Sequence, residues 1–408
     1  MEFLLSEIFD KPISGEWGKE LEEGEQGVPV IRTTNFTNIG RLNLKDLVFR
    51  NIDIDKYSNK RLNKGDLIIE KSGGSPTQPV GRVVIFDEDN DKTYFFNNFT
   101  SVLRPKEMLN SHYALYLMKD LYNKRKVLKY QNKTTGIINL KLNDYISNTK
   151  IELPSIDIQE RIAEVLDLNQ SLIDKKKEQI EKLDLLVKSK FIEMFGDPIN
   201  NPMKWEVKKM KNISSEIMSG NTPKGGEQVY IDSGIMFLRS QNVWKNKLVL
   251  DDVAYIDQAT HNKMKKSSLK NKDILMTKTG RINTENSSLG RAAMFLGKDD
   301  SANINGHVYL IRLQKQIINE FVLYILTSKE YRGYIRSVCV GGIDKRQLNK
   351  EHIEKFPIIY PPVKMQEKFV NYVKQVDKLK FEMEKSLKEL EDNFNSLMQK
   401  AFKGELFN

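Results

Sequence analysis

The sequence carries the same pattern twice, and this internal repeat restricts the possible folds more than any other feature. Leu153–Asp167 reads LPSIDIQERIAEVLD, and Tyr360–Lys374 reads YPPVKMQEKFVNYVK. At an offset of 207 residues, identical residues coincide at three places: Pro154 with Pro361, Gln159 with Gln366 and Glu160 with Glu367. A solenoid repeats every 20 to 50 residues or so, which is far shorter than this period. The repeat therefore predicts two copies of an entire domain.

The repeat extends over most of the chain. Further segments match at offsets between 206 and 208: VPVIRTTNF (28–36) with IMFLRSQNV (235–243), GDLIIEKSGG (65–74) with KDILMTKTGR (272–281), NNFTSVLR (97–104) with NGHVYLIR (305–312), and TTGIINLKL (134–142) with VGGIDKRQL (340–348). Short runs such as GRVVIFD and GHVYLIRL, bounded by Gly, Asn and Asp, predict β-strands. Helices are predicted over His112–Leu128 and Asn319–Val338. Each copy is thus expected to be an α/β (α+β) globule followed by a long polar helix.

The two long helices show a coiled-coil register. No Pro or Gly occurs from Gln159 to Phe195, and apolar residues recur there at alternating steps of four and three. The first seam contains Ile162, Leu166, Ile173, Ile180, Leu183 and Val187, and the second contains Phe369, Val373, Val376, Met383, Leu387, Leu390 and Phe394. Polar residues interrupt the seams at different places: Asn169, Lys176 and Lys190 in the first and Lys380 in the second. These complementary interruptions favour an antiparallel pair; the alternative is that each helix packs on its own globule.

Charge and composition indicate the class of partner. The chain of 408 residues has 65 Lys and Arg against 55 Asp and Glu, a net charge of +10, so nucleic acid is the leading partner class. A single cysteine, Cys339, cannot form an internal disulfide, which fits a reducing compartment. The start MEFLLSEIFD is unlike a secretory signal, and no apolar run is long enough to span a membrane. We expect a cytoplasmic protein with no membrane partner.

Enzyme motifs are absent from the sequence. There is no G-x-G-x-x-G after a predicted strand, no P-loop and no H-E-x-x-H, and four scattered histidines with one cysteine do not form a zinc motif. NPMKW (201–205) begins like an adenine-methyltransferase motif but lacks the aromatic residue that would hold a flipped base. Asp66 and Glu70 resemble a nuclease metal site, but Thr277 replaces Glu70 in the second copy. We therefore expect no catalysis and no metal site on this chain.

Basic, amide-rich loops remain, and DNA is their expected ligand. RTTNF and RSQNV offer side chains that can read guanine or adenine edges, and cations in the Gly-rich loops would bind phosphates. The alternative is that these residues are solvated loop tips. The candidate DNA-binding residues are Arg32, Thr34, Asn35, Lys71, Ser72, Gln78, Arg82, Lys129, Lys133 and Thr134 in the first copy, and Arg239, Gln241, Asn242, Lys278, Thr279, Arg281, Arg291, Lys345 and Arg346 in the second.

The layout as a whole resembles the specificity (S) subunit of Type I restriction-modification systems. The resemblance rests on ELPSIDIQERIAEVLDLNQSLIDKKKEQIEKLDLLVKSKFIEMFGDP (152–198) and IYPPVKMQEKFVNYVKQVDKL…NSLMQKAFKGELF (359–407). It implies two target recognition domains in a tandem pseudo-twofold repeat, separated by a long antiparallel two-helix coiled coil. The implied boundaries are 1–154 and 199–361 for the recognition domains, and 155–198 and 362–408 for the helices. One departure is that MEFLLSEIFDKPISGEWG stands where the second copy has WEVKKMKNISSEIMSGNTP, so the first domain is expected to lack an edge element.

The resemblance also implies a role without chemistry of its own. Such a subunit reads a bipartite double-stranded DNA target, one half per domain, with the coiled coil setting the spacer. Two adenine-N6 methyltransferase (M) subunits that use S-adenosylmethionine, and two restriction/translocase (R) subunits that use ATP and Mg, would complete the complex. No cofactor is expected on this chain. Alternatives are a self-sufficient DNA methyltransferase or nuclease, and a non-catalytic coiled-coil scaffold of another phage-defence assembly.

Overall fold

The computed structural model describes residues 1–75, 77–134, 137–282, 284, 286–342 and 345–407, with only the backbone of Lys133 and Thr134. The helices are α1 (Leu5–Ile8), α2 (Ser111–Asn123), α3 (Leu142–Asn148), α4 (Ile156–Phe195), α5 (Met210–Ile213), α6 (Gln258–Lys263), α7 (Asn319–Thr327), α8 (Lys329–Val338), α9 (Lys350–Glu354) and α10 (Val363–Ala401). None of the helices in these described ranges combines the length and the apolar character needed to cross a membrane.

The strands of the described residues fall into two sets of twelve. The first set is β1 (Glu2–Leu4), β2 (Ile13–Ser14), β3 (Val28–Ile31), β4 (Val48–Arg50), β5 (Leu67–Glu70), β6 (Ser72–Gly73), β7 (Val83–Ile85), β8 (Phe95–Phe96), β9 (Thr100–Leu103), β10 (Gln131–Thr134), β11 (Ile137–Leu140) and β12 (Lys150–Glu152). The second set is β13 (Val207–Lys209), β14 (Ser214–Ser219), β15 (Ile235–Leu238), β16 (Ala254–Ile256), β17 (Ile274–Thr277), β18 (Thr279–Gly280), β19 (Ala292–Met294), β20 (Ala302–Ile304), β21 (Val308–Leu313), β22 (Val340–Gly341), β23 (Arg346–Gln347) and β24 (Pro357–Ile359).

The chain divides into two compact units, and each contains the same four sheets. Unit 1 consists of Met1–Glu178 with Met383–Asn408, and unit 2 consists of Gln179–Glu382. The sheets of unit 1 have the orders β2-β9-β5-β7, β4-β3-β8, β10-β11-β6 and β1-β12. The sheets of unit 2 have the matching orders β14-β21-β17-β19, β16-β15-β20, β22-β23-β18 and β13-β24. Even the parallel pairing of β3 with β8 recurs, as β15 with β20. The predicted α/β (α+β) duplication is confirmed.

The first copy contains the edge element that we expected it to lack. Strand β1 pairs with β12 in the same way as β13 pairs with β24. The difference between the copies lies in the next strand, because β2 has two residues where β14 has six. The first copy therefore keeps its edge strand and differs from the second in a shorter second strand.

Two predicted helices end earlier than their apolar patterns suggested. α2 stops at Asn123, because Arg125 adopts a left-handed conformation with φ of 56° and a 3-10 helix follows. The helix predicted over Asn319–Val338 is two helices, α7 and α8, which meet at Ser328. The Ser328 hydroxyl accepts a hydrogen bond from the backbone N–H of Tyr331 at 3.2 Å, which is an N-cap interaction that starts a new helix.

A buried ion pair recurs in the central sheet of each unit. Asp66, at the start of β5, binds Arg104 through two hydrogen bonds of 2.8 Å, and Asp273 binds Arg312 at 2.9 and 2.7 Å. Both carboxylates are almost fully buried. A bidentate arginine–carboxylate pair of this kind fixes the direction of both side chains. The aspartates shared by the two copies are therefore parts of the scaffold.

Two glutamines shared by the repeat fasten the start of each long helix. Gln159 Nε2 donates to the carbonyls of Pro154 and Met108, both at 3.0 Å, and its Oε1 accepts from the N–H of Asn110. Gln366 Nε2 donates to the carbonyl of Pro361 at 2.7 Å. Both glutamines are buried, so their amides satisfy backbone groups that water does not reach. The repeated proline–glutamine spacing is thus a connection between domain and helix.

The long helices run antiparallel to each other, as predicted. In unit 1 the start of α4 shares a core with Met398 and Ala401 from the end of α10. In unit 2 the end of α4 shares a core with Phe369 and Val376 from the start of α10. Polar interruptions of the seam are matched: Lys380 donates to Asp184 at 2.6 Å, and the Asn393 amide donates to Asn169 at 3.3 Å. The seam residues named above are all buried or half-buried.

The end of each long helix completes the hydrophobic core of the domain that belongs to the other copy. Phe195, at the end of the first-copy helix, lies 5.1 Å from Phe321 and 5.7 Å from Phe369 between ring centroids in unit 2. Phe402, its counterpart at an offset of 207, lies 5.5 Å from Tyr113 in unit 1. Neither unit therefore completes its core without residues from both copies.

A polar network joins α2 to α4 inside unit 1. His112 Nδ1 lies 2.5 Å from Asp167 Oδ2, while Arg41 and the Tyr116 hydroxyl each lie 2.8 Å from Oδ1. Nε2 of His112 also lies 3.7 Å from Asp87. The hydrogen bond with Asp167 raises the pKa of His112, although burial acts in the opposite direction. Burial alone would raise the pKa of Asp167, but His112 and Tyr116 hold it below its ordinary value.

We predict that Phe195→Ala destabilises unit 2 by about 3–5 kcal/mol, because it leaves a cavity among buried rings. The measurement is chemical denaturation, with hydrogen exchange in α7 to locate the loss. Phe381→Ala is the control, since this ring is 65% exposed and its loss should change stability by only about 0.5 kcal/mol. Equal effects of the two substitutions would contradict the account of the core.

We predict that unit 1 loses stability as the pH rises above neutrality. Protonated His112 is favoured by folding, so its contribution is fully present below the unfolded pKa of about 6.5 and disappears through the higher folded pKa. Hydrogen exchange in α2, compared between about pH 6 and about pH 9 after correction for intrinsic rates, measures the change. His112→Gln should flatten this dependence, and an unaltered pH profile in that variant would rule out His112 as its source.

Candidate nucleic-acid interface

Three loops of each unit contain the candidate residues. Loop 1 follows β3 or β15 (32–36 and 239–243), loop 2 follows β5 or β17 (71–82 and 278–291), and loop 3 covers 129–142 and 340–348. Loops 2 and 3 are joined because β6 pairs with β11 and β18 pairs with β23. Loops 1 and 2 meet where the Arg82 guanidinium lies 5.8 Å from the Phe36 ring, and Arg291 lies 3.9 Å from Trp244. The structure thus brings the candidates together within each unit.

The asparagines of loop 1 brace the loop itself. Asn35 Oδ1 accepts from the N–H of Arg32 at 2.9 Å, and its Nδ2 donates to the carbonyls of Asn43 and Asp46. Asn242 makes the equivalent bonds with Arg239, Val249 and Asp252. Both side chains are buried. Their amides are occupied in the free protein, so their observed role is to hold the loop, and a contact with bases stays a prediction.

The other loop 1 candidates are more accessible. Arg32 pairs with Asp46 at 3.5 Å, and Arg239 pairs with Asp252 at 3.1 Å. Thr34 and Gln241 occupy the same position in the two copies, and both are exposed. Gln241 donates to Asp252 at 2.7 Å. An exposed position that carries Thr in one copy and Gln in the other is suited to reading different bases.

Loop 2 of unit 1 carries a neutralised arginine. Arg82 donates to both oxygens of Glu70, at 2.8 and 3.1 Å, and this bond raises the pKa of Arg82. Lys71 donates to the Ser14 hydroxyl at 2.9 Å, and burial lowers the pKa of Lys71. Ser72 binds Asn139 at 2.6 Å, whereas Gln78 is exposed at the loop tip. The net positive charge available to a ligand here is small.

Loop 2 of unit 2 differs at one decisive position. Thr277 stands where unit 1 has Glu70, and its hydroxyl donates to the carbonyl of Ser288. Arg291, the counterpart of Arg82, therefore lacks that carboxylate, and burial lowers its pKa. Arg281 is exposed in the same loop, and Lys278 lies 5.7 Å from the ring of Tyr309. Among the described residues, the arginine of this loop therefore lacks the carboxylate that binds its counterpart in unit 1.

Loop 3 supplies further cations beside loop 2. Lys129 lies 4.7 Å from the Tyr130 ring, Lys345 is exposed, and Arg346 pairs through its backbone with Gly280. Thr279 lies next to Gly280 in the same small sheet and is half-buried. The side chains of Lys133 and Thr134 lie outside the described residues. Within the described ranges, no group of three or more His, Cys, Asp and Glu side chains is placed to hold a metal ion.

Sequence reasoning missed two residues of this region, Trp244 and Arg332. The Trp244 ring stacks against the Arg291 guanidinium. Arg332 from α8 has a buried side chain that donates a hydrogen bond to the same loop. The available signal was the replacement of Glu70 by Thr277, which leaves Arg291 without a carboxylate. From the sequence, we interpreted that replacement only as evidence against a metal site.

Comparison with known proteins identifies the family. Residues 1–183 and 202–392 each match the Type I restriction modification DNA specificity domain. The chain belongs to this family. Its specificity domain therefore occurs twice, in line with the repeat, and the predicted family is confirmed.

Named relatives support the same assignment. The chain is 25% identical over 399 residues to the Type I restriction enzyme StySPI specificity subunit of Salmonella potsdam, covering 93% of this chain and 82% of the relative. It is 24% identical over 400 residues to the EcoKI specificity subunit of Escherichia coli (strain K12), with the same coverage. Both matches run through the two copies of the repeat in this chain.

Solved structures share the fold. A chain from a study of complex assembly and conformational transition of the type I R-M system superposes with a TM-score of 0.58 at 15% identity, covering 100% of this chain and 98% of that one. The crystal structure of a Type-I restriction-modification system S subunit from M. genitalium gives 0.55 at 15% identity, covering 98% and 96%. The fold is thus that of known specificity subunits.

We predict that Asn242 and Gln241, neighbours in one loop, separate into a structural and a contact role. Asn242→Ala should cost about 1–3 kcal/mol, since it leaves buried backbone groups without partners. Gln241→Ala should change stability by only about 0.5 kcal/mol while weakening DNA binding. Thermal unfolding and a DNA titration of both variants make the comparison. Loss of stability in Gln241→Ala alone would reverse the assignment.

Proposed function

We propose that this chain is the DNA-specificity subunit of a Type I restriction-modification complex and reads a bipartite target in double-stranded DNA. Unit 1 would read one part and unit 2 the other, with a spacer of unspecified sequence between them. The observation that carries the proposal is the complete duplication, since each unit has its own copy of the specificity domain and of the three loops.

The chemistry of the loops supports two different half-sites. Loop 1 reads RTTN in unit 1 and RSQN in unit 2, so Thr34 and Gln241 present different donors and acceptors from the same exposed position. A glutamine can bind adenine through two hydrogen bonds, whereas threonine makes a single bond or contacts a thymine methyl group. The shared arginines and lysines suit phosphate contacts, which position the protein without reading sequence. Two domains with the same scaffold but different loop 1 side chains would therefore read two different DNA sequences.

The same chain would hold the catalytic partners. We infer that two methyltransferase subunits, which bind S-adenosylmethionine, and two restriction subunits, which use ATP and Mg, assemble on it. One feature in support is an exposed leucine at the same place on both long helices: Leu172 on α4 is 43% exposed and Leu379 on α10 is 51% exposed. Exposed apolar residues that recur in both copies are suited to twin docking sites. The chain itself would need no cofactor.

The length of the paired helices would set the spacer. α4 has 40 residues and α10 has 39. At roughly 1.5 Å per residue, each helix is longer than one turn of DNA, which measures about 34 Å. Because α4 and α10 contribute residues to both units, a change in their length would alter the distance between the two reading sites.

Long-read mapping of adenine methylation tests the proposal, using cells that express the partner methyltransferase with or without this chain. We predict a bipartite motif that disappears without the chain. Inserting one heptad into both helices, after Glu178 and after Glu382, keeps the seam register and should lengthen the spacer by about three base pairs. A four-residue insertion in one helix only is the control, since it breaks the register. A single uninterrupted motif, or an unchanged spacer, would refute the two-site reading.

A further inference from the structure

Two arginines at equivalent positions of loop 2 have different surroundings. Arg82 and Arg291 both precede the outer strand of the central sheet, and both lie over an aromatic ring next to loop 1. Glu70, the last residue of β5, binds Arg82 at 2.8 Å. Thr277, the last residue of β17, is an uncharged residue at the same place. Among the described residues, the place that Glu70 takes beside Arg82 thus holds no carboxylate beside Arg291.

The Arg291 guanidinium is fixed in direction although it lacks an acidic partner. It stacks 3.9 Å from the Trp244 ring, Nε donates to the carbonyl of Ser287 at 3.1 Å, and Nη2 donates to that of Asn286. Of the five N–H donors of the guanidinium, two therefore form hydrogen bonds with described residues. No carboxylate in the described part of the chain forms an ion pair with Arg291. The remaining donors are available to a ligand.

A second buried cation lies behind the first. Arg332 of α8 is 7% exposed, and its Nη2 and Nη1 approach the carbonyls of Ser287 and Gly290 at the long distance of 3.4 Å. Like Arg291, it forms no ion pair with a described carboxylate. Burial lowers the pKa of Arg332, and the nearby charges of Arg336 and Arg291 lower it further. Burying two such cations together is unfavourable unless an anion compensates for them. Their placement therefore favours an anionic ligand.

Arg291 borders an open cavity of about 520 Å³ in unit 2. Its walls combine three cations with hydroxyl groups: Arg281, Arg291 and Lys345 with Thr279, Ser287 and Ser288. None of its described lining residues is acidic. Cations together with hydroxyl and backbone N–H donors are the groups that bind DNA phosphates in known complexes. The cavity lies where loops 2 and 3 meet, beside loop 1.

We infer that the cavity around Arg291 in unit 2 binds a backbone phosphate of the DNA target, and that Glu70 occupies the equivalent arginine of unit 1. This inference rests on the proposed function. Arg291 would donate to the phosphate oxygens, Arg281 and Lys345 would add charge at the entrance, and Arg332 would position the loop. The two units would then differ in how much of their affinity comes from salt-sensitive contacts.

The salt dependence of DNA binding tests the inference with the full-length chain and a duplex containing its mapped target. Arg291→Gln should reduce the slope of log K against log salt by about 0.9, the value for one phosphate contact, and should weaken binding to all sequences alike. Arg291→Lys should keep most of the slope, because it keeps the charge. Lys315→Gln is the matched control: it removes one exposed charge of unit 2 away from the cavity.

Two further measurements make the result decisive. Ethylation of single phosphates should reveal one phosphate whose modification impairs the wild-type chain but not Arg291→Gln. Because Arg291 is buried, its variant is checked by thermal unfolding; if it does not fold, the exposed Arg281→Gln should lower the slope in its place. An unchanged slope, or a changed preference at one base pair with the slope intact, would overturn the phosphate site. Failure of the wild-type chain to bind the duplex would instead defeat the proposed function itself.

Discussion

The packing of each long helix against the domain of the other copy is the interaction on which the rest of the structure depends. Phe195 ends the first-copy helix but lies among the rings of unit 2. Phe402 directly follows the second-copy helix but lies against Tyr113 of unit 1. A helix of this polarity is barely stable in water by itself, so its order comes from these apolar contacts. Each domain in turn needs them to close its core. Because each unit needs the helix of the other copy to complete its core, two copies in one chain stabilise each other.

The sequence predicted the duplication and the helix register well because both rest on physical periodicities. The seam of Leu166 and Val187 repeats every three and four residues, and burial of those positions follows from that spacing. The errors occurred where local capping competes with the apolar pattern. Ser328 interrupts a helix that its apolar residues would continue, since its hydroxyl satisfies the N–H of Tyr331. Arg125 ends another through a left-handed backbone that no pattern signals.

The candidate interface was predictable as a set of loops but not as a set of roles. Residue type and repetition pointed to Asn35, Arg82 and Arg291 alike. Asn35 braces its own loop, Arg82 is held by a carboxylate, and Arg291 has no carboxylate partner among the residues that the structure describes. These outcomes depend on what the fold places beside each side chain. Glu70 is twelve residues from Arg82 and reaches it only because β5 and β7 are paired. The sequence alone does not show which side chains lie beside each other in the fold. The comparison of the two copies comes close, because it shows that Thr277 replaces Glu70.

Comparing the copies position by position separates scaffold from specificity. Residues that both copies share, such as Asp66 with Asp273 and Gln159 with Gln366, are buried and bind other parts of the same unit. Thr34 and Gln241, which differ between the copies, lie at exposed loop tips, whereas the difference between Glu70 and Thr277 is buried. A replacement at such a tip leaves the buried ion pair and the helix attachment untouched, so it changes the surface offered to DNA at little cost in stability. Two copies of one frame can therefore acquire different targets independently where the residues that differ, such as Thr34 and Gln241, lie outside the buried contacts that hold each frame together.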